Sequence, residues 1–516
     1  MNRLLISGIV LVLAVAGIAF HAFGNGNMIG RVVDGTPFER SDSCSDSDGG
    51  VFSFEKGEVV RKGLFGSKGI YRDRCMDVDG KDAVKEYYCE EGKAKWEKIA
   101  CEERCENRAC IPREVLPQII SSCREITSGG SYLFNGDIYS SGQTRCLYIH
   151  DTENVQIDCN NHTIFSNLSL GYLVYFERVN NFSLKSCRFM ALEGLDEDFY
   201  PLYIENSSDG EVEKNLIRGK FFRFSNSVNL TFFHNTIIPR LDVFHNKGLK
   251  IYENDFRREY YQQYTTNSLI QRNTFNLSYI RRNQAENISC VINLNLGSEN
   301  NISQNRINGG ARGLFSERLY ADDGICLSDE SFDFVEGNFI ENNWDAGIET
   351  IGLVTNTTIT ENYIKNSGLT GLGGWYWNSW KGNSVLNNVI EDAPKMLFFL
   401  REHGLRPQGW DDEHLMPADK FIIFKDNTFI NNSILNPRID ELGSYSYLVI
   451  QAKDNLYPGE SYPKKEEVIL GNNLFKDNDF THISLSPYFD PPSMIIDGGG
   501  NKCNSPSDSE YPLSCV

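Results

Sequence analysis

Asn215-Leu-Ile217, Asn235-Thr-Ile237, Asn254-Asp-Phe256, Asn273-Thr-Phe275: the chain repeats an Asn followed two residues later by Ile or Phe. The phrase continues through Asn305-Arg-Ile307, Asn338-Phe-Ile340, Asn362-Tyr-Ile364, Asn388-Val-Ile390, Asn427-Thr-Phe429 and Asn473-Leu-Phe475. Successive gaps are 20, 19, 19, 32, 33, 24, 26, 39 and 46 residues. A short period that insertions stretch but never erase is the signature of a solenoid. Short stretches beside each Asn alternate with period two, as in Leu230-Thr-Phe232 and Thr358-Ile-Thr360, and read as strands. Each Asn falls at a turn, where its side chain tolerates a left-handed backbone and bonds local main chain. Stacked coils would superpose these residues about 4.8 Å apart, the spacing of neighbouring strands. The expectation is an all-β chain: a parallel β-helix with a ladder of side-chain amides above a core of Ile and Phe.

This pattern resembles the right-handed parallel β-helix repeat family, a superfamily that includes pectate lyases, polygalacturonases and NosD-like periplasmic proteins. The resemblance spans roughly residues 116–500 and implies a right-handed coil. The stretches Ile119-Ile-Ser-Ser-Cys123, Gly129-Gly-Ser-Tyr-Leu133, Cys146-Leu-Tyr-Ile149 and Val155-Gln-Ile-Asp-Cys159 resemble the first coils of NosD-like archaeal proteins. The family spans many activities, so the resemblance speaks for fold far more than for function. A periplasmic metal-handling role is one thing it implies, but clustered His, Met or free Cys ligands for copper are scarce here.

The 516 residues carry 70 acidic and 50 basic side chains, a formal charge of −20. Nucleic acid is excluded as a partner, since its binding rests on clustered Lys and Arg. Leu4 to Phe20 form a run without charge behind Arg3, extending with His21 to Phe23. Residues 4–23 match the ~20 residues that a bilayer core needs, so the reading is a signal-anchor, or a secretory signal if it is cleaved. Everything after Gly24 then lies on the extracytoplasmic face of the cell membrane, or is secreted. Fourteen cysteines, an even number, suit a disulfide-forming compartment. Ten Asn-x-Ser/Thr sequons (Asn161, Asn167, Asn181, Asn206, Asn229, Asn276, Asn287, Asn301, Asn356 and Asn431) suit a glycoprotein, although an Asn-rich chain makes sequons by chance.

The domain reading is a signal-anchor or signal at 1–24, a Gly-rich spacer at 25–41 and a Cys-rich module at 42–115. The β-helix follows at 116–500, and a tail at 501–516 is closed by Cys503 and Cys515. The module holds Cys44, Cys75, Cys89, Cys101, Cys105 and Cys110. So short a domain builds little core, and disulfides are the expected support. The sequence does not choose among fifteen pairings. Zinc needs closely spaced ligand pairs, and only the last three cysteines cluster. Cys44-Ser-Asp-Ser-Asp-Gly-Gly50 and Glu86-Tyr-Tyr-Cys89 resemble a Cys-rich module of archaeal surface proteins. Cys44-x-Asp46-x-Asp48-Gly49 with Glu55, and Cys75-x-Asp77-x-Asp79-Gly80 with Glu86, match a calcium loop except for Cys at its first position. The competing reading is two Asp-Gly turns. Within the β-helix, Cys123 with Cys146, Cys159 with Cys187, and Cys290 with Cys326 are candidate bridges between coils, and Cys187-Arg-Phe189 takes the place of the Asn phrase in its coil.

Long insertions begin after Asn305, and long loops on a rigid scaffold are where binding and catalysis concentrate. Trp344, Trp375, Trp377, Trp380 and Trp410 fall there, with Tyr376 among them. Aligning coils on Gly324, Gly347 and Gly371 puts Asp322 and Asp345 in one column, with Asp323 beside them and Glu349 one alternation beyond Gly347. Crowded acids repel, so one of them should keep its proton. A protonated acid beside an ionised one equips glycoside hydrolysis, and calcium would relieve the same repulsion. Polygalacturonases carry one Asp on a coil and an Asp pair on the next. Here the pair comes first, and the His and Arg-x-Lys of that family have no match, so no catalytic residue is carried over from it. Turns rich in Asp and Gly are also common structural elements of β-helices.

The expectation is therefore a membrane-anchored β-helix protein that binds polysaccharide or surface glycoconjugate. If it is an enzyme, it is a glycoside hydrolase or polysaccharide lyase. The candidate catalytic or calcium groups are Asp322, Asp323 and Asp345, with Trp375, Tyr376, Trp377, Trp380 and Glu349 binding substrate. No other cofactor or metal is expected. The alternative is a structural or adhesive surface protein that docks other surface proteins and has no catalytic activity.

Overall fold

The structure, a computed structural model, describes residues 43–46, 58–62, 68–78, 81–90, 93–101, 104–106, 108–111, 116–140, 144–166, 171–191, 199–219, 221–279, 288–310, 321–374, 378–402, 421–437, 447–455, 467–482, 488–490, 492–503 and 513–516. The expected membrane segment at 4–23 and the spacer at 25–41 lie outside them. No helix among the described residues is long and apolar enough to cross a membrane. The chain divides into two compact units, Met1–Glu114 and Val115–Val516. Regular structure among the described residues is all β, apart from two short 3-10 turns at Leu277–Tyr279 and Pro492–Met494.

The first unit is built from antiparallel strands, with Lys81–Glu90 paired to Arg74–Val78 on one side and Lys93–Ala100 on the other. Its buried apolar core among the described residues is Val59, Ala83, Val84, Ala109 and Cys110. So thin a core needs covalent support, and three bridges supply it: Cys44–Cys89, Cys75–Cys105 and Cys101–Cys110. The Cys at the first position of each calcium-like loop is therefore in a disulfide and offers no ligand. Asp48, Asp79 and Glu55 lie outside the described residues.

The second unit is a parallel β-helix. One coil shows the plan: strand Arg240–Phe244, a turn, strand Lys250–Tyr252, the Asn254 turn, then strand Asp255–Phe256. Each strand pairs in parallel with its counterpart a coil away: Leu241 with Tyr260, Ile251 with Ile270, and Phe256 with Phe275. First and second strands join a sheet of 27 strands among the described residues, and third strands form a separate sheet of 14. The apolar residue two after each Asn points inward. Ile217, Ile237, Phe256, Phe275, Ile307, Ile340, Ile364 and Ile390 are all buried, and Phe256 stacks on Phe275 at 4.5 Å.

The amide ladder runs through Asn215, Asn235, Asn254, Asn273, Asn305, Asn338, Asn362, Asn388, Asn432, Asn478 and Asn501. Each Oδ1 from Asn235 onward accepts two bonds from the Asn one coil earlier. The side-chain Nδ2 donates at 3.0–3.1 Å, and the backbone N–H at 2.8–3.1 Å. Two residues of the expected column belong elsewhere. Asn427 and Asn473 stand where second strands begin and form a second ladder, Ser268–Asn300–Asp333–Thr357–Asn383–Asn427–Asn473. The phrase fits both turns, because each needs an Asn at its corner and an apolar residue in the next inward position.

Disulfides hold the coils where the Asn column has not begun or has ended. Cys123–Cys146 ties early coils, and Cys159–Cys187 occupies the ladder position, with the Cys187 N–H donating to Asn215 Oδ1 at 2.8 Å. Cys290–Cys326 and Cys503–Cys515 also form, as expected. At the far end Leu513 enters the core and the Val516 N–H donates to the Asn501 carbonyl at 2.9 Å, closing the last coil.

Each ladder amide is buried and satisfied, so removing one leaves its neighbours' donors unpaired. Asn338→Ala and Asn362→Ala should each cost about 1–3 kcal/mol in chemical denaturation. Unchanged midpoints in both variants would show that the column does not hold the coils.

Candidate functional site

The first strands Asp323–Ser328, Ala346–Ile351 and Thr370–Gly374 lie side by side in the long sheet. Ile325, Ile348 and Leu372 share an inward column, while Cys326, Glu349 and Gly373 share an outward one. Gly347 and Gly371 occupy register positions between paired neighbours, and Gly324 precedes Ile325 in the same way. A Cβ at Gly324, Gly347 or Gly371 would lie 2.5, 2.2 or 2.3 Å from Ile340, Ile364 or Ile390 respectively. The glycines thus let the first strands approach the third-strand sheet closely, which is the physical content of the sequence alignment.

That register brings the expected acids together. The Asp345 N–H donates to the Asp322 carbonyl at 2.7 Å, so the two residues are neighbours on adjacent coils. Asp323 is almost wholly buried, and its Oδ1 accepts the Ala346 N–H at 2.8 Å. Its carboxyl is hydrogen-bonded to that of Glu349. Two carboxyls in such a bond must share a proton. Burial, then the charges of Glu349 and Asp345, hold Asp323 well above the usual carboxylate range. Burial pushes Glu349 up to about 7, opposed by its bond to Asp323 and reinforced by Asp322. Asp322, Asp345 and Glu349 are half-buried and so lie nearer to solvent than Asp323, although Asp345 Oδ1 is itself covered.

A disulfide forms one wall of this cluster. Cys326 Sγ lies 3.8 Å from Asp323 Oδ2 and 3.9 Å from Glu349 Oε2. Cys290, Asp323 and Cys326 place their donor atoms within 4.8 Å of one another, a spacing that suits a metal. Both sulfurs are spent in the Cys290–Cys326 bond, however, and offer no thiolate. Calcium would find Asp323 already engaged by the Ala346 N–H and by Glu349.

The expected aromatic partners fare differently. Trp380 does not bind substrate: it is 1% exposed, donates from Nε1 to Thr350 Oγ1 at 2.7 Å and packs on Phe424 and Phe429. Its position falls on the inward alternation, so the ring belongs to the core. Trp375, Tyr376, Trp377 and Trp410 lie outside the described residues. Trp344 is half-buried next to Asp345.

The same face carries a feature that the motifs do not announce. One outward column runs Tyr148, Tyr175, Tyr203, Arg223, Asp242, Tyr261, Asn293, Cys326, Glu349. Tyr148 stacks on Tyr175 at 5.4 Å and Tyr175 on Tyr203 at 5.1 Å, with Arg145 over the first two rings at 4.3 and 4.8 Å. The Tyr175 hydroxyl donates to Glu205 at 2.5 Å, and that of Tyr148 to Glu177. These rings cover one another's faces, so the ladder is a cohesive surface rather than a stacking platform. At its start a cleft of about 470 Å³ is lined by Cys123, Arg124, Glu125, Thr144, Arg145, Cys146 and Tyr148, far along the column from the acids. The recurrence of Tyr148, Tyr175 and Tyr203 at 27 and 28 residues, one coil apart, is the signal of this column available in the sequence.

No protein-family model matches the chain, and no curated protein matches it. Among solved structures the chain is similar to an exopolygalacturonase from Thermotoga maritima, at 11% identity over 53% of this chain and 80% of that one, with a TM-score of 0.36. It is similar to the periplasmic alginate epimerase AlgG at 14% identity, over 55% and 74% of the two chains, with a TM-score of 0.35. It is similar to the catalytic domain of a GH87 α-1,3-glucanase at 13% identity, over 70% and 73%, with a TM-score of 0.38. At such identities and overlaps the likeness carries no functional weight; the β-helix rests on the chain's own sheets and ladders.

Asp323 and Glu349 carry folded-state pKa values above those of the unfolded chain, so the fold holds extra proton there. For Glu349 the cost of ionisation grows as pH rises from its ordinary 4.5 to about 7. Stability should therefore fall with rising pH across that window. The isosteric pair Asp323→Asn/Glu349→Gln should flatten this part of the pH dependence, as read by urea melts on either side of the window. An unchanged pH slope would disprove the shared proton.

Proposed function

We propose that the chain binds a polysaccharide or glycoconjugate on the outer face of its first-strand sheet, and that the acid cluster can cleave the glycosidic bond. The observation that carries this reading is the convergence of Asp322, Asp323, Asp345 and Glu349, in which burial and mutual repulsion raise Asp323 and Glu349 above the usual carboxylate range. Glycoside hydrolysis needs a carboxylic acid that protonates the leaving oxygen and a carboxylate on the other side. Glu349, raised to about 7 and half-buried, suits the acid. Asp345 or Asp322 suits the carboxylate. Asp323 is too buried to touch a ligand and acts as a positioning residue through Glu349. In this reading Trp375, Tyr376 and Trp377 supply the stacking surfaces that Trp380 does not. A cluster of carboxylates on a chain of charge −20 repels polyanions, which favours neutral sugars over uronate or sulfated chains.

The proposal includes the setting. Seven disulfides suit an oxidising compartment, and residues 4–23 would anchor the chain at the extracytoplasmic face of a membrane, or direct its secretion. The second reading, a structural or adhesive surface protein, is favoured by the self-stacked tyrosine column and by the burial of Trp380. It predicts protein partners and no turnover.

A glycan array separates the two. The full chain should retain neutral glycans, and Trp375→Ala/Trp377→Ala should weaken that retention without lowering the melting midpoint. On a retained glycan, Glu349→Gln and Asp345→Asn should each abolish release of reducing ends, on the scale of 10²–10⁴-fold expected for a lost acid or base. An empty array, with wild-type chain folded, would leave the adhesive reading standing.

A further inference from the structure

The same coil that carries Asp322 and Asp323 holds a second carboxyl pair, this one inside the solenoid. Glu330 is 0% exposed and Asp333 is 2% exposed. Both sit in the turn between strands Asp323–Ser328 and Phe334–Glu336. Asp333 occupies a position of the second ladder, where its Oδ1 accepts the Asn300 N–H at 2.9 Å and its own N–H donates to Thr357 Oγ1 at 3.4 Å. Glu330 lies one column away and reaches back over Gly297. Its Oε1 accepts the Gly297 N–H at 2.8 Å, and its Oε2 accepts Asn300 Nδ2 at 3.2 Å. A Cβ on Gly297 would come within 2.9 Å of that carboxylate and 2.4 Å of the Thr265 carbonyl, so the glycine makes the space that Glu330 fills.

Asp333 Oδ2 is buried and makes no hydrogen bond of ordinary geometry. The two carboxyls meet at Asn300, whose N–H bonds Asp333 Oδ1 and whose Nδ2 bonds Glu330 Oε2, and each shifts the other's ionisation. Both facts hold together when the Glu330 carboxyl keeps its proton beside Asp333. The groups facing the pair are neutral: Asn300, Thr357 and Tyr260, whose hydroxyl donates to Gln262 Oε1 at 2.6 Å. No ion pair joins either carboxyl to a basic group among the described residues. Removing the proton leaves two negative charges inside a water-poor turn, at a cost that only movement can relieve.

We propose that Glu330 and Asp333 form a proton-operated lock, which holds the coil bearing Asp322 and Asp323 closed while one proton is shared and lets that coil loosen when the proton leaves. The lock stands on the interior geometry and does not depend on any glycan activity. Burial raises Glu330 to about 10 and Asp333 to about 6, so between these values the closed coil holds one proton that the opened turn releases. Opening then becomes more favourable as pH rises, by about tenfold per pH unit, since each unit is a tenfold change in proton activity.

Hydrogen exchange on the full chain tests this, with peptides spanning residues 290–336 followed at about pH 6.5 and about pH 8.5 and corrected for the intrinsic rate. Peptides spanning 235–256, which lack buried acids in their ladders, serve as the reference. The expected result is an excess loss of protection in 290–336 of about a hundredfold over these two units, absent from the reference. Glu330→Gln should remove the excess. Asp333→Asn should lessen it, since the second charge goes while Glu330 stays buried, and it places in the ladder the residue that Asn300 and Asn383 already provide there, so folding is retained if Glu330→Gln fails. Equal protection at both pH values, or the same excess in Asp333→Asn, would overturn the lock.

Discussion

The bond on which the molecule depends is the one from an Asn Nδ2 to the Oδ1 of the Asn one coil away. Each acceptor also takes that coil's backbone N–H, so a single side chain fixes both the height and the phase of its neighbour. Phase matters more than the energy of one bond. Strand side chains alternate with period two, and a slip of one residue would send every core residue outward. A ladder anchored at each third-strand turn forbids that slip. It is why an outward column can run from Tyr148 to Glu349 without interruption, although insertions make the coils differ in length. Where the column begins, a covalent bond fixes the phase instead, since Cys187 stands in the ladder and is tied to Cys159.

A lattice so regular makes its exceptions expensive, and both carboxyl clusters are exceptions. In the second ladder Asp333 stands where Asn300 and Asn383 stand on other coils. An Asn there would donate as well as accept; an Asp can donate only if it holds a proton itself, and otherwise needs a partner that brings one. At the outer face, Asp323 is confined by the close approach that Gly324, Gly347 and Gly371 permit and by the Cys290–Cys326 wall. In each case shape has been met at the expense of ionisation, and the proton is the smallest counter-charge available. Two such compromises fall on one coil, between Asp322 and Asp333, whereas the minimal coils from Asn215 to Asn273 have none in their ladders.

The fold was legible because its signal is redundant. Asn with an apolar residue at +2 recurs on nearly every coil, and the disulfide partners within the β-helix follow from which cysteines sit one coil apart. The exact column was less legible, since Asn427-Thr-Phe429 and Asn432-Ser-Ile434 are the same phrase at two different corners. The acid register was readable from glycine spacing, because glycine marks where a Cβ cannot fit. Trp380 was misplaced for want of one fact, the parity of its strand, which a long insertion upstream hides from counting. Glu330 and Asp333 fall in no motif of the sequence, and nothing local says that their turn faces inward. The sequons have a similar origin. Asn161, Asn181, Asn206, Asn229, Asn356 and Asn431 are exposed and take positive φ, with Ser or Thr two residues on. Asn favours the left-handed corner, and a β-branched or hydroxyl residue suits the first outward place of the following strand. The fold writes that pattern whether or not a glycan is attached.

The location of the reachable acids constrains what a ligand would meet. The tyrosine column has committed its ring faces to neighbouring rings and to Arg145, and its hydroxyls to Glu177, Glu205 and Ser225. What the acid end offers is chiefly acceptors, the half-buried carboxyls of Asp322 and Asp345, beside Glu349, which has a proton to give. A ligand recognised there must bring its own donors, as a polyhydroxylated sugar does, and must lack a dense negative charge. Burial of Asp323 matters for the same reason. Ionised, it would hold the proton on Glu349 more tightly; protonated, it donates to Glu349 and eases the loss of that group's own proton. Selectivity at such a site would come from hydrogen-bond geometry between coils spaced by the strand repeat, so it would depend on the amide ladder beneath it as directly as on the acids themselves.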